Sequence, residues 1–432
     1  MFYGREEDFI ELDALWRKRT ATLVTCRGRR RIGKSTLIEE FAQRSGARFL
    51  KFEGIAPDKG VGNNEELQSV QAQLERQTGY NGGAFGKWAK AFAEIDKAID
   101  TRKTVLLLDE ISWMGKFDAT FPGELKVAWD NLFKKHDRLI VFLCGSVSTW
   151  ISENILNNTA FVGRASLNMI VRELPFNQCV KFWGQKADRT SVRDIVDVLS
   201  VTGGVPRYLE EVDPSMTADE NIRRMCFSPN ALLRDDFVKI FNIVFGNNAV
   251  TKRRILEILA GQPMTLTEIC ERLNVERNGG ISGHIEDLEI AGFIAGDRCV
   301  MPETGKMAKQ TRYRLRDNYT RFYLKYIAPN ASTIENGSFR FNSLDALKGW
   351  DSILGLAFEN LVVNNLPSLL PKLGMGHVLL KSAAPFRQAA TKRKRGCQID
   401  LLLQAARANS IAAVSSRARI FFMFSLSFLF YW

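Results

Sequence analysis

Histidine is scarce in this chain and cysteine is scattered. The three histidines, His136, His284 and His377, lie far apart, so the clustered imidazoles of a zinc centre are not expected. The seven cysteines are an odd number, spread singly, with no C-x-x-C pair. That usage suits a reducing cytosol better than a disulfide framework. The opening "MFYGREEDFIELD" is acidic and amphipathic and lacks the apolar run of a signal peptide. A membrane span is not expected either. The apolar stretch 420–432, "IFFMFSLSFLFYW", would cover about 20 Å as a helix, against roughly 30 Å of hydrocarbon core. Internal repeats and low-complexity linkers are also missing. These absences point to a cytoplasmic globular protein.

At 432 residues the chain is too long for one ordinary core and is expected to form two to four domains. The 45% hydrophobic and 25% charged residues are ordinary for a soluble protein. The formal net charge of +12 favours a phosphate-rich or acidic partner, or reflects a generally basic surface.

The apolar pattern alternates between strand and helix. "TATLVTC", "ARFLKFEGI", "TVLLLDE", "RLIVFLCGS" and "SLNMIVREL" read as strands, the third and fourth being continuous enough for the inside of a parallel sheet. Helical stretches lie between them, with the break "GYNGG" inside 64–101. This order predicts a doubly wound α/β sheet over residues 1–175. Residues 176–248 read as a helical lid. Over 249–330 three helices precede a basic two-stranded segment, the pattern of a winged helix-turn-helix. Thr265 and Glu268 are spaced to cap the second helix, and the third starts near Ser282. A last unit runs from 335.

One segment carries explicit chemistry. "RGRRRIGKST", residues 27–36, fits G-x-x-x-x-G-K-[ST] through Gly28, Gly33, Lys34 and Ser35. Glycines let a main chain curl until successive N–H groups point at phosphate oxygens, and the following helix adds its positive end. Lys34 would neutralise the β- and γ-phosphates, and Ser35 would offer a hydroxyl to Mg²⁺. The binding segment runs from Gly28 through Ile32 to Thr36. Its arginines Arg29, Arg30 and Arg31 either face solvent, add positive potential for ATP or meet a partner. Asp109, ending an apolar strand, would hold the Mg²⁺ shell, and Glu110 would orient or deprotonate water. The alternative is that this Asp-Glu pair merely caps a strand.

These segments resemble the archaeal-type ATPases of the STAND branch of AAA-like P-loop NTPases, in the subset with a winged helix and a C-terminal PD-(D/E)xK nuclease-like domain. The resemblance covers about 1–404. It rests on "FYGREEDFIEL", "GRRRIGKST", "LLLDEISWM", "LCGSVSTWI", "FVGRASLNMIVRELPF", "TGGVPRYLE" and "YRLRDNYTRFYLKYIAPN". It implies that Gly4, Arg5 and Glu6 lie near the nucleotide base and that Ser146 is the polar sensor of the γ-phosphate. Arg164 becomes an arginine-finger candidate, Pro206 an adenine-packing element and Arg207 a lid residue reaching the phosphates. ATP is implied over GTP, since no guanine-reading N-K-x-D follows the acidic strand. The implied partners are duplex DNA, through the basic wing of Lys306, Lys309, Arg312, Arg314 and Arg316, or another protein.

In the last unit, 335–404, Glu359 and Asp400 match two nuclease carboxylates. The next strand should supply Glu-x-Lys, yet no Asp or Glu follows Asp400. The tail 405–432 is therefore read as aberrant, from a frameshift or sequencing error near 404 or a degenerated gene, and no nuclease activity is expected. Three functions stay open: an ATP-driven switch, an ATP-licensed DNA-acting protein whose nuclease-like domain is inactive, and a scaffold that binds nucleotide without turnover.

Overall fold

Five apolar runs become five parallel strands: β1 (Thr22–Arg27), β2 (Arg48–Glu53), β3 (Thr104–Asp109), β4 (Leu139–Gly145) and β5 (Ala165–Ile170). Their order in the sheet is β2-β3-β4-β1-β5. Every residue of β3 and β4 is buried, because helices cover both faces and leave no polar side. The computed structural model describes residues 2–18, 20–146, 148–246, 249–299, 301, 306–388, 397–405 and 421–424. It divides into two compact units, Met1–Arg172 and Glu173–Trp432.

In the first unit the strands alternate with α1 (Glu6–Leu15), α2 (Lys34–Arg44), α3 (Asn63–Thr78), α4 (Trp88–Lys97), α5 (Ile111–Met114) and α6 (Phe121–Asn131). Leu67 and Val70 of α3, Trp88 and Phe92 of α4 and Phe121 of α6 pack with Phe52 and Leu106 in one core. The predicted break between α3 and α4 falls where Gly79 takes φ 73° and caps α3.

A buried carboxyl adjoins that core. Glu66 on α3 is fully buried, and its two oxygens accept the Ile55 N–H at 3.0 and 3.2 Å, pinning the chain that leaves β2. Burial pushes its carboxyl up to about 7, against the smaller opposing effect of that hydrogen bond. The protonated form therefore favours the fold. Its contribution is fully present below the ordinary carboxylate range and is lost as pH rises toward 7. Glu66→Gln is expected to match the wild type in thermal stability near pH 4.5 and to exceed it by about 2 kcal/mol at pH 7.5. Melting curves across that range check this.

The longer helices of the first part of the second unit are Val192–Thr202, Ala218–Cys226 and Leu232–Phe245. Helices Ala249–Leu259, Leu266–Leu273 and Gly279–Ile290 follow, with strands β6 (Met264–Thr265), β7 (Ile294–Asp297) and β8 (Arg312–Leu315). The three strands form an antiparallel sheet in the order β6-β8-β7. Thr265 and Glu268 exchange the two bonds of a capping box. The third helix starts at Gly279, before the predicted Ser282, because the Asn278 side chain accepts the Ile281 N–H at 3.0 Å. Of the predicted wing cations, Arg312 and Arg314 pair with carboxylates of the same unit. Arg312 pairs with Glu268 at 2.9 Å. Arg314 is buried, donating to Asp297 at 2.7 Å and to Asn360.

Further along, helix Trp350–Asn364 carries Glu359, and strands β9 (Leu380–Gln388), β10 (Cys397–Ala405) and β11 (Phe421–Phe424) form an antiparallel sheet. Asn360 donates to Leu315 O at 3.0 Å and to Asn318 Oδ1 at 2.9 Å, so this helix is bonded to the end of β8 and the segment after it. Asp400 lies on β10, and its side chain is outside the described residues. The tail 405–432 enters the described residues only at Ala405 and at β11, which pairs with Leu401–Gln404. Among the described residues no single helix is long and apolar enough to cross a membrane.

Candidate functional site

At the carboxyl end of β1 the chain curls. Gly28 is obligatory there, since a Cβ would sit 2.4 Å from the carbonyl oxygen of Val171 beside β5. Arg31 and Gly33 then take the left-handed region, at φ 72° and 84°, which closes the loop before α2 begins at Lys34. The Lys34 side chain is buried and folds back into the curl. Its Nζ donates to Gly28 O at 3.0 Å and Arg29 O at 3.2 Å. Carbonyl dipoles satisfy an ammonium without cancelling its charge, so the loop keeps a positive centre suited to a multivalent anion. Ser35 is half-buried and Thr36 exposed in the first turn of α2.

Arg5 works from the other side. Its buried guanidinium donates to Ile32 O at 2.8 Å and Arg172 O at 2.7 Å. The expected base-side residue thus braces the main chain of the phosphate loop. Arg29 is buried and Ile32 nearly inaccessible, whereas Arg30 is partly exposed. The Arg30 guanidinium lies 5.3 Å from the centre of the Trp113 ring.

The acidic pair stands at the end of β3. Since β4 separates β3 from β1, the two strand ends are two strand spacings apart, about 10 Å. Asp109 is buried, and its Oδ1 accepts the Glu110 N–H at 3.1 Å. Its Oδ2 is 3.5 Å from Lys51 Nζ, which also meets Glu53 at 3.2 Å. Burial works to lower the Lys51 ammonium's pKa, but Asp109 and Glu53 outweigh it and hold the pKa above its ordinary value. Glu110 adopts φ 49°, ψ 45°, a left-handed conformation that costs about 1 kcal/mol for a residue with a Cβ. In it the carboxylate accepts the Ser146 N–H at 3.2 Å and the Ser146 hydroxyl at 2.9 and 3.0 Å. Arg30 approaches the same carboxylate at 3.4 Å.

Lys34, Ser35, Asp109, Glu110 and Ser146 thus share the carboxyl edge of the sheet. Arg164 does not. It precedes β5, whose Ala165 is in register with Leu23 at the start of β1. It therefore sits about 20 Å back along the strands from the phosphate loop. Its guanidinium makes two 2.9 Å bonds to Asp130, and that pairing pulls the Asp130 carboxyl down to about 2. Arg164 is not a finger toward the loop of its own chain. Pro206 opens the short helix Pro206–Leu209 of the second unit, and Arg207 there donates to Glu211 at 2.6 Å and Glu210 at 3.4 Å.

Lys51 and Trp113 were not evident as site residues in the sequence. The only signal for Lys51 was a polar residue inside the run "RFLKFE" on the strand next to the acidic one. Trp113 follows the acidic pair by three positions, one helical turn on.

Residues 2–212 match the model of an ATPase domain found predominantly in Archaea. An uncharacterized protein of Methanocaldococcus jannaschii is 24% identical over 386 residues, covering 87% of this chain and 81% of its own length. Among solved structures, a Walker-type ATPase of Pyrococcus abyssi aligns with a TM-score of 0.55 at 13% identity, over 75% of this chain and 96% of that one. At that identity the likeness establishes the fold. The curled loop, the acidic strand end and the match over residues 2–212 agree: this part of the chain is similar to an archaeal-type ATPase domain, on a five-stranded parallel sheet typical of P-loop NTPases.

Proposed function

We propose that the protein is a Mg²⁺-dependent ATPase acting as a nucleotide-controlled switch. The observation that carries this reading is the Lys34 ammonium, held by carbonyls inside a curled loop on the same sheet edge as the Asp109–Glu110 pair. Lys34 and the N–H groups of residues 29–36 would bind the triphosphate. Asp109 and the Ser35 hydroxyl are the hard oxygen donors Mg²⁺ prefers, and the buried carboxylate beside Lys51 already tolerates a cation at 3.5 Å. Bound there, the ion would supply neutralising charge at the phosphate oxygens. Glu110 would orient the attacking water and take its proton, and the Ser146 hydroxyl positions Glu110 for that work.

For residues 249–316 we favour a winged helix that contacts a protein. The order of helices and strands supports the module. Arg314 is committed to the half-buried Asp297 and Arg312 pairs with Glu268 at the surface, and the third helix carries Glu286, Asp287 and Glu289, so the face is less basic than the sequence alone suggests. Phosphate release by the purified full chain, with and without Mg²⁺ and with and without duplex DNA, tests both parts. Turnover that requires Mg²⁺ and ignores DNA is expected. Stimulation by DNA that falls steeply with salt would reassign the partner, and absence of turnover would remove the ATPase reading.

A further inference from the structure

Both carboxylate oxygens of Glu110 have partners within the chain. Ser146 takes them through its hydroxyl and N–H, and the Arg30 guanidinium closes the other side at 3.4 Å. The contact is sheltered, with side-chain exposures of 28% for Arg30 and 14% for Glu110. Three features make it a built arrangement. Glu110 makes it from a left-handed backbone. Arg30 rests over the Trp113 indole, which stands one turn beyond Glu110 on α5. Arg30 itself belongs to the phosphate loop, between Gly28 and Gly33.

Building on the ATPase reading, we infer that Arg30 is a positioning residue that latches Glu110 while the loop is empty and gives it up to an incoming triphosphate. The loop arginine has two competing anions, one carboxylate and one phosphate. A γ-phosphate carries more negative charge than a carboxylate and lies on the loop's inner side, so it draws the guanidinium away. Glu110 is then held by Ser146 alone and is free to turn toward water. A diphosphate lacks the group that competes. The latch thus makes release of the base depend on the third phosphate, so that loop occupancy and chemistry are coupled through one side chain.

A double-mutant cycle read by binding tests this. Affinities for ADP and for the non-hydrolysable analogue adenylyl imidodiphosphate, both with Mg²⁺, are measured by calorimetry on the wild type, Glu110→Gln, Arg30→Ala and the double variant. Glu110→Gln frees Arg30 and is expected to tighten the analogue about threefold to tenfold while leaving ADP unchanged. In the Arg30→Ala background the same change is expected to have no effect, and Arg30→Lys should restore part of the gain. If Glu110→Gln tightens the analogue equally with and without Arg30, simple charge repulsion explains the gain and the latch is wrong. If it tightens neither ligand, the latch is also wrong. Binding of ADP by all four folded proteins, checked by circular dichroism, separates these outcomes from failure of the ATPase reading, in which no variant binds either nucleotide.

Discussion

Replacing Lys34 with alanine is expected to weaken Mg²⁺-ATP binding about 100-fold or more and to abolish measurable turnover. The size follows from the site. Truncating one partner of a desolvated, hydrogen-bonded charge pair costs about 2–5 kcal/mol, and Lys34 is buried where a triphosphate would be desolvated too. The loss should be confined to binding. Among the described residues the ammonium donates to carbonyls of its own loop, Gly28 and Arg29, and water can replace it on both. The melting temperature of the variant without nucleotide should therefore stay close to wild type, while the stabilisation that ATP gives the wild type should vanish. A scan with and without Mg²⁺-ATP reads both quantities in one experiment.

The second large effect is expected at Glu110, and it has the opposite signature. Glu110→Gln keeps the volume and the Ser146 hydrogen bonds but cannot accept a proton from water. Turnover should fall about 10²- to 10⁴-fold, with nucleotide binding retained. A phosphate-release assay paired with retention of radiolabelled ATP on the protein distinguishes this from a folding defect. Retained ATP without release identifies Glu110 as the base. Release at the wild-type rate would make the acidic pair a strand cap and leave the protein a binder whose chemistry lies elsewhere.

Together the two variants separate the open functions. A scaffold that binds without turnover would respond to Lys34→Ala and ignore Glu110→Gln, whereas a switch that hydrolyses would respond to both.

The sheet was legible because β3 and β4 carry long unbroken apolar runs before their acidic or glycine ends. "TVLLLDE" and "RLIVFLCGS" leave little choice other than burial on both faces. The phosphate loop was legible because its glycines, lysine and serine are fixed by phosphate geometry at set spacings. What escaped was every feature made by register. Lys51 meets Asp109 because β2 pairs with β3 at Glu53 and Asp109, and no local pattern states that pairing. Arg164 was read from its local segment alone. Its distance from the loop follows from β5 running parallel to β1 and starting beside Leu23. Arg5 shows a subtler limit. Its segment marked it as important, but only the fold shows its guanidinium holding the Ile32 carbonyl.

The wing carries the same lesson about charge. Counting Lys306, Lys309, Arg312, Arg314 and Arg316 gives a basic ribbon. In the folded unit Arg314 is buried with Asp297, whose own carboxyl is pushed up by burial against the pull of Arg314. A cation used to neutralise a buried acid contributes little outward field. Net charge of the chain, +12, therefore overstates what this face presents to a polyanion.

Calorimetric titration of the full wild-type chain with ATP measures directly whether a triphosphate fills the curl between Gly28 and Lys34. One saturable site of micromolar or tighter affinity that weakens when Mg²⁺ is withheld is the expected result. A folded protein that takes up no adenine nucleotide at millimolar concentration, with Mg²⁺ present, would contradict it.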